Sequence, residues 1–91
     1  MVVIKRSREF KKHYKSRILP HETLKKRYKQ RLELFISNRK SSILKDHKLS
    51  GTLVGTRSFS ITGDIRVHYI ERLSNEFVFL DIGTHPQIYG I

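Results

Sequence analysis

In residues 1–40 the apolar side chains recur every three to four positions, whereas from residue 53 onward they alternate one by one. That change of period within one short chain dictates helices first and strands afterwards. Val2-Val3-Ile4 is a β-branched run and predicts an opening strand. Ser7 then offers an N-cap, with Glu9 in the first turn. Phe10, Tyr14 and Ile18 follow at helical spacing, with lysines between them, until Leu19-Pro20 breaks the pattern. A second helix is predicted from Pro20 or His21, with Leu24, Tyr28, Leu32, Phe35 and Ile36 on its apolar side, fading over residues 37–42.

Residues 45–51 read as a loop. Residues 53–61 read as a strand that places Arg57, Phe59 and Ile61 on one face and Ser58 and Ser60 on the other. Thr62-Gly63-Asp64 is a turn, residues 65–70 a second alternating strand, Ser74-Asn75 another turn, and residues 77–82 a mostly apolar, central strand ended by Gly83-Thr84-His85-Pro86. The expected order is β-α-α-β-β-β. This is an α+β domain spanning residues 1–91, with two N-terminal helices packed on a mainly antiparallel four-stranded sheet.

Charge narrows the partners. The chain holds 19 Lys and Arg against 8 Asp and Glu, a formal net charge of +11. Residues 1–40 carry 14 of the basic residues and 3 of the acidic ones, so the whole excess lies there; residues 41–91 carry 5 of each. A one-sided positive field draws polyanions, with nucleic acid the first candidate and an acidic protein the second. The absence of cysteine excludes a disulfide framework and a thiolate zinc site. No apolar run is long enough to span a membrane, and residues 1–10 lack the apolar core of a signal peptide, so a cytoplasmic protein without membrane contact is expected.

The second half contains an ordered set of motifs. Asp46-His47-x-Leu49-x-Gly51 is followed by Gly55-x-Arg57, then by Gly63-Asp64-Ile65-Arg66-Val67-x-Tyr69, then by Gly83-Thr84-His85 with Tyr89-Gly90. This set resembles the RelE/ParE superfamily of type II toxins, and its first and last motifs resemble the YafQ-like branch. The resemblance implies a RelE-like microbial ribonuclease fold. It implies an endoribonuclease that cuts mRNA in the ribosomal A site, contacts rRNA through its basic helices, and is neutralised by an acidic antitoxin. A monomer is expected when free and a hetero-oligomer with the antitoxin. The family's active-site positions fall on His47, Asp64, His85 and Tyr89. One position departs: relatives can carry histidine four residues before the aspartate, where this chain has Ser60.

A metal-free ribonuclease needs a base for the 2′-hydroxyl, an acid for the leaving 5′-oxygen, and cations at the phosphate. Histidine suits both proton transfers because its ordinary pKa lies near working pH. Arginine grips phosphate with a planar fork, and an aromatic ring stacks on an unpaired base. His85 is assigned as acid and either His47 or Asp64 as base. Arg57, Arg66 and Lys48 are assigned to RNA phosphate, and Tyr89 to stacking or orientation. No cofactor is expected; His47, Asp64 and His85 as a two-histidine, one-carboxylate metal set ranks low. The blander readings are a solvated His47, a turn-forming Asp64, Arg57 and Arg66 each paired to a local carboxylate such as Glu71 or Asp81, and Tyr89 as a lid on the sheet. His13 and His21 are read as solvated among the helix lysines. The competing functions are a gyrase inhibitor of the ParE type and a catalytically degenerate RNA- or ribosome-binding homologue.

Overall fold

The first helix starts where its cap predicts. The Ser7 hydroxyl accepts a hydrogen bond from the Phe10 amide at 3.0 Å, which satisfies one of the orphan N–H groups of a helix start. The computed structural model describes residues 1–50 and 53–90. Its elements are β1 (Val3–Arg6), α1 (Arg8–Arg17), α2 (Glu22–Ser37), a 3-10 turn (Ser42–Leu44), β2 (His47–Lys48), β3 (Arg57–Ser60), β4 (Arg66–Leu73), β5 (Glu76–Gly83) and α3 (His85–Tyr89).

The strands form one sheet in the order β1-β5-β4-β3-β2, with β1 parallel to β5 and every other pairing antiparallel. The α+β class stands, but the sheet has five strands rather than four. His47 and Lys48, read as loop, pair with Ser58 and Arg57 as an edge strand. A two-residue strand has no periodicity to read, which is why its sequence looked like loop. The short helix α3 is likewise new: Thr84 caps it in a capping box with Gln87, Pro86 lies in its first turn, and Gly90 ends it at φ 73°. Gly51, the last residue of the first motif, lies outside the described residues.

Both long helices cover one face of the sheet. Phe35 of α2 sits between Phe59, Tyr69, Phe77 and Phe79, with ring centroids 4.6, 5.1, 5.0 and 5.5 Å away. Phe10 of α1 packs on Phe79 at 5.5 Å. Each fully buried ring of this kind contributes roughly 1.5–3 kcal/mol through desolvation alone. Ile36, expected in the stripe, stays 47% exposed because, as the residue after Phe35, it is turned about 100° around α2 from it. Among the described residues no helix is long and apolar enough to cross a membrane.

One irregularity sets the position of the site. Tyr69 pairs with Phe79 but His68 with Asp81, so Leu80 is an extra residue in β5. A bulge shifts the alternation by one. Phe77 and Phe79 face the core before it and Ile82 after it, while Asp81 is turned out of the core. β1 ends opposite Phe79, leaving the β5 edge beyond it open. α1 closes that edge: Ser7 donates to the Leu80 carbonyl at 2.9 Å, His13 bonds Asp81 at 2.6 Å, and Arg17 donates to the Ile82 carbonyl at 2.9 Å. His13 is therefore not a solvated surface histidine, as its lysine-rich surroundings suggested.

Candidate active site

Strand alternation sorts the candidate residues by face. Cross-strand partners share a face, so His47, Ser58 and His68 stand in one row across β2, β3 and β4, and Ser60 and Arg66 in the next. Phe59, Val67 and Tyr69 point the other way, into the helix-covered core. The polar rows thus lie on the face opposite α1 and α2. α3 follows directly from β5, opposite whose last residue, Gly83, Arg66 stands.

A cleft of about 470 Å³ opens at this corner, lined by His47, Leu49, Ser50, Leu53, Arg66, His85 and Tyr89. It gathers four of the sequence-selected residues from three distant segments of the chain. A second cleft of about 380 Å³ adjoins it, sharing Arg66 and His85 and adding Asp64, Gly63, Thr84 and Pro86. Arg66 and His85 therefore stand at the boundary between the two. No carboxylate among the described residues pairs with Arg66, so the expected alternative of a pairing to Glu71 or Asp81 does not occur. A guanidinium left without a protein anion is suited to a phosphate.

The local geometry of each residue follows from its backbone. The Nδ1 of His47 lies 2.8 Å from the Lys45 carbonyl oxygen. A carbonyl can only accept, so Nδ1 carries the proton and the lone pair of the neutral ring is on Nε2. His85 and Tyr89 are four residues apart on α3, one above the other, with ring centroids 4.1 Å apart and planes at 76°. Asp64 is exposed, and its carboxylate does not form the turn. Thr62 does that: its hydroxyl accepts from the amides of Asp64 and Ile65 at 3.2 and 3.0 Å. Ser60 donates to the Thr62 carbonyl, so the side chain that replaces the relatives' histidine braces the same turn.

Two assigned residues are elsewhere. Arg57 is bound to Asp46, with Nε 2.6 Å from Oδ1. Burial works against its charge, but the bonds to Asp46 more than offset this and raise its pKa above the ordinary value. Lys48 follows His47 on β2 and points to the opposite face, where it lines a groove with Arg57 and Glu71. Neither lines the cleft. His68 is buried, and its Nε2 is 2.9 Å from the Thr56 hydroxyl. Burial lowers its pKa, against the opposing pull of Asp81. His68 thereby ties the β2–β3 connection onto the sheet beneath the cleft. Leu49, a residue of the first motif, forms the cleft wall with Ser50 and Leu53; those two were given no site role, because they fall outside the fixed positions of the motifs. Among the described residues no three His, Asp or Glu side chains are placed to hold a metal ion.

A family model described as the YafQ bacterial toxin of type II toxin-antitoxin systems matches residues 2–90. Comparison with curated protein sequences returned no match. Among solved structures, YafQ from Escherichia coli BL21(DE3) superposes with a TM-score of 0.81 at 24% identity, covering 99% of this chain and 100% of that one. The toxin in the E. coli DinJ-YafQ complex gives 0.79 at 25% identity, with coverage of 99% and 100%. A metal-bound toxin from Helicobacter pylori gives 0.76 at 26% identity, with coverage of 97% and 99%.

Proposed function

The chain belongs to the YafQ family of bacterial type II toxins, and from that premise we propose that it is a ribosome-dependent endoribonuclease that cuts translated mRNA in the A site. The observation that carries this reading is the single cleft in which His47, Arg66, His85 and Tyr89 meet. A gyrase-directed activity has no use for two histidines that share a cleft with an arginine paired to no carboxylate among the described residues.

The reaction assigned to the cleft is transesterification. His47 Nε2, whose lone pair is left free by the Nδ1–H bond to Lys45, takes the proton of the RNA 2′-hydroxyl. The 2′-oxygen attacks phosphorus and the bond from phosphorus to the 5′-oxygen breaks. His85 delivers a proton to that 5′-oxygen. The products are a 2′,3′-cyclic phosphate and a 5′-hydroxyl end. Arg66, between the two clefts, holds the non-bridging phosphate oxygens as their charge grows. Tyr89, set at 76° to the His85 ring, orients that ring and, as part of the cleft lining, stacks on a base. Asp64 lines the adjoining cleft with Arg66 and His85, which suits a role in orienting the proton donor or the RNA rather than in accepting the 2′-proton. The basic face of α1 and α2 supplies rRNA contacts. An acidic antitoxin neutralises the toxin, as the existence of the E. coli DinJ-YafQ complex suggests by analogy, and the complex is a hetero-oligomer in the cytoplasm.

The test is cleavage by the purified protein on ribosomes carrying a defined message. The expected products end in a cyclic phosphate and disappear when the A-site nucleotide is 2′-deoxy. Cleavage of the deoxy-substituted message would remove the 2′-hydroxyl from the mechanism.

A further inference from the structure

The segment that carries His47 is fastened from the opposite side of the sheet. Asp46, with only 7% of its side chain exposed, accepts from Arg57 Nε at 2.6 Å through Oδ1 and from the Tyr69 hydroxyl through Oδ2. Tyr69 is fully buried in the aromatic core. Its hydroxyl also accepts from Arg39 Nη1 at 3.3 Å, and Arg39 pairs with Glu71 at 3.6 Å. Two carboxylates and two guanidiniums thus alternate around one phenol, which leaves the buried Asp46 charge compensated. The phenol's pKa is pushed up to about 12 by burial and by its bond to Asp46, so it remains a donor.

On the other flank, Lys45 adopts the left-handed conformation at φ 50° and ψ 38°, a cost of about 1 kcal/mol for a residue with a Cβ. Such a conformation persists only where its surroundings impose it. That same residue's carbonyl receives the His47 Nδ1–H. Free neutral histidine favours the opposite tautomer, with its proton on Nε2, so the Nδ1–H form requires an acceptor held in place.

We infer that Asp46 is a positioning residue: anchored by Arg57 and Tyr69, it holds the left-handed turn at Lys45, whose carbonyl sets the tautomer of His47 and leaves Nε2 free towards the cleft. The catalytic consequence rests on the nuclease reading above; the tautomer does not. A carboxylate that fixes a catalytic imidazole by direct contact is worth about 10⁴-fold in rate. Acting here through a backbone carbonyl, Asp46 is expected to contribute about 10- to 100-fold, in kcat rather than KM.

The experiment is ¹⁵N NMR of the imidazole nitrogens in histidine-labelled protein, wild type against Asp46→Asn, in mildly alkaline buffer, together with ribosome cleavage kinetics. Wild type is expected to show a single His47 tautomer with Nδ1 protonated. In Asp46→Asn the two nitrogens should move towards the averaged values of free histidine, and kcat should fall about 10-fold or more with KM unchanged. A folded Asp46→Asn protein that keeps the Nδ1–H tautomer overturns the inference, whatever its activity. Wild-type protein that shows the tautomer and its loss in the variant, but cuts no message, refutes the nuclease reading and leaves the positioning role standing. If Asp46→Asn does not fold, Tyr69→Phe carries the test. It keeps the core ring and removes one anchor, so a smaller shift in the same direction is expected, and an unchanged His47 spectrum overturns the inference.

Discussion

Replacement of Gly83 by alanine tests how the sheet presents α3 to the cleft. A Cβ at Gly83 would lie 2.6 Å from Arg17 Nη1, 2.7 Å from Gln87 Oε1 and 3.2 Å from Gln87 Cβ. The first two atoms end flexible side chains and can move, but each is engaged. Arg17 donates to the Ile82 carbonyl at 2.9 Å, and Gln87 Oε1 accepts from the Thr84 amide at 2.8 Å within the capping box. A hydrogen bond to a charged group is worth roughly 1.5–3 kcal/mol, reduced here to about 1 because Arg17 is partly exposed. Loss of a cap costs about 0.5–1 kcal/mol in an exposed helix. Against these stands about 0.4–1 kcal/mol gained by restricting the unfolded chain. The net expectation is a loss of about 1 kcal/mol and a Tm lower by about 4–8 °C, measured by thermal unfolding followed by circular dichroism. In an Arg17→Ala/Gln87→Ala background the displaced groups are already gone. Most of the cost of Gly83→Ala should then vanish, leaving only the 3.2 Å crowding of Gln87 Cβ. An undiminished loss in that background, or an unchanged Tm in the single variant, would refute this account of why glycine stands between β5 and α3.

Two further outcomes follow from the core. Phe35→Ala removes the ring that meets four others and should destabilise the fold by about 3–5 kcal/mol in urea titration, much of the stability of a chain this size. The second concerns alkaline pH. Tyr69 keeps its proton up to about pH 12 when folded but loses it near pH 10 when unfolded. The unfolded state therefore binds fewer protons in that window, and stability is complete below pH 10 and falls as pH rises towards 12, by up to about 2–3 kcal/mol. Tyr69→Phe should remove that part of the alkaline loss, as read from urea midpoints at pH 9 and 11; equal slopes in both proteins would contradict it.

The parts of the fold that were legible in the sequence are those with long periods. α1, α2 and the three-strand meander repeat their patterns over enough residues to bury a continuous face, and the Ser7 cap and the break at Pro20 bound them. What escaped is short. β2 is two residues and α3 five, although Thr84 and Gln87 at capping-box spacing with Pro86 between them were a readable signal for α3. The bulge at Leu80 was also hidden, since Phe77-Val78-Phe79-Leu80 is apolar at every position and so gives no polar alternation whose phase could be seen to break. Of the site, the motif residues His47, Arg66, His85 and Tyr89 line one cleft, because β2, β4 and α3 meet at one corner of the sheet. The pairing of Arg57 went unread because its partner eleven residues away, Asp46, cannot be read from strand alternation. His13 was misread for the same reason, since its partner Asp81 lies 68 residues away in sequence.

The most direct test of the nuclease assignment is to induce the wild-type chain and His85→Ala separately in bacterial cells and map the 5′ ends of cellular mRNA. Cuts within translated codons and in frame, present with the wild type and absent with a folded His85→Ala, are the predicted result. Growth arrest without cuts, or the same cuts from both proteins, would contradict it.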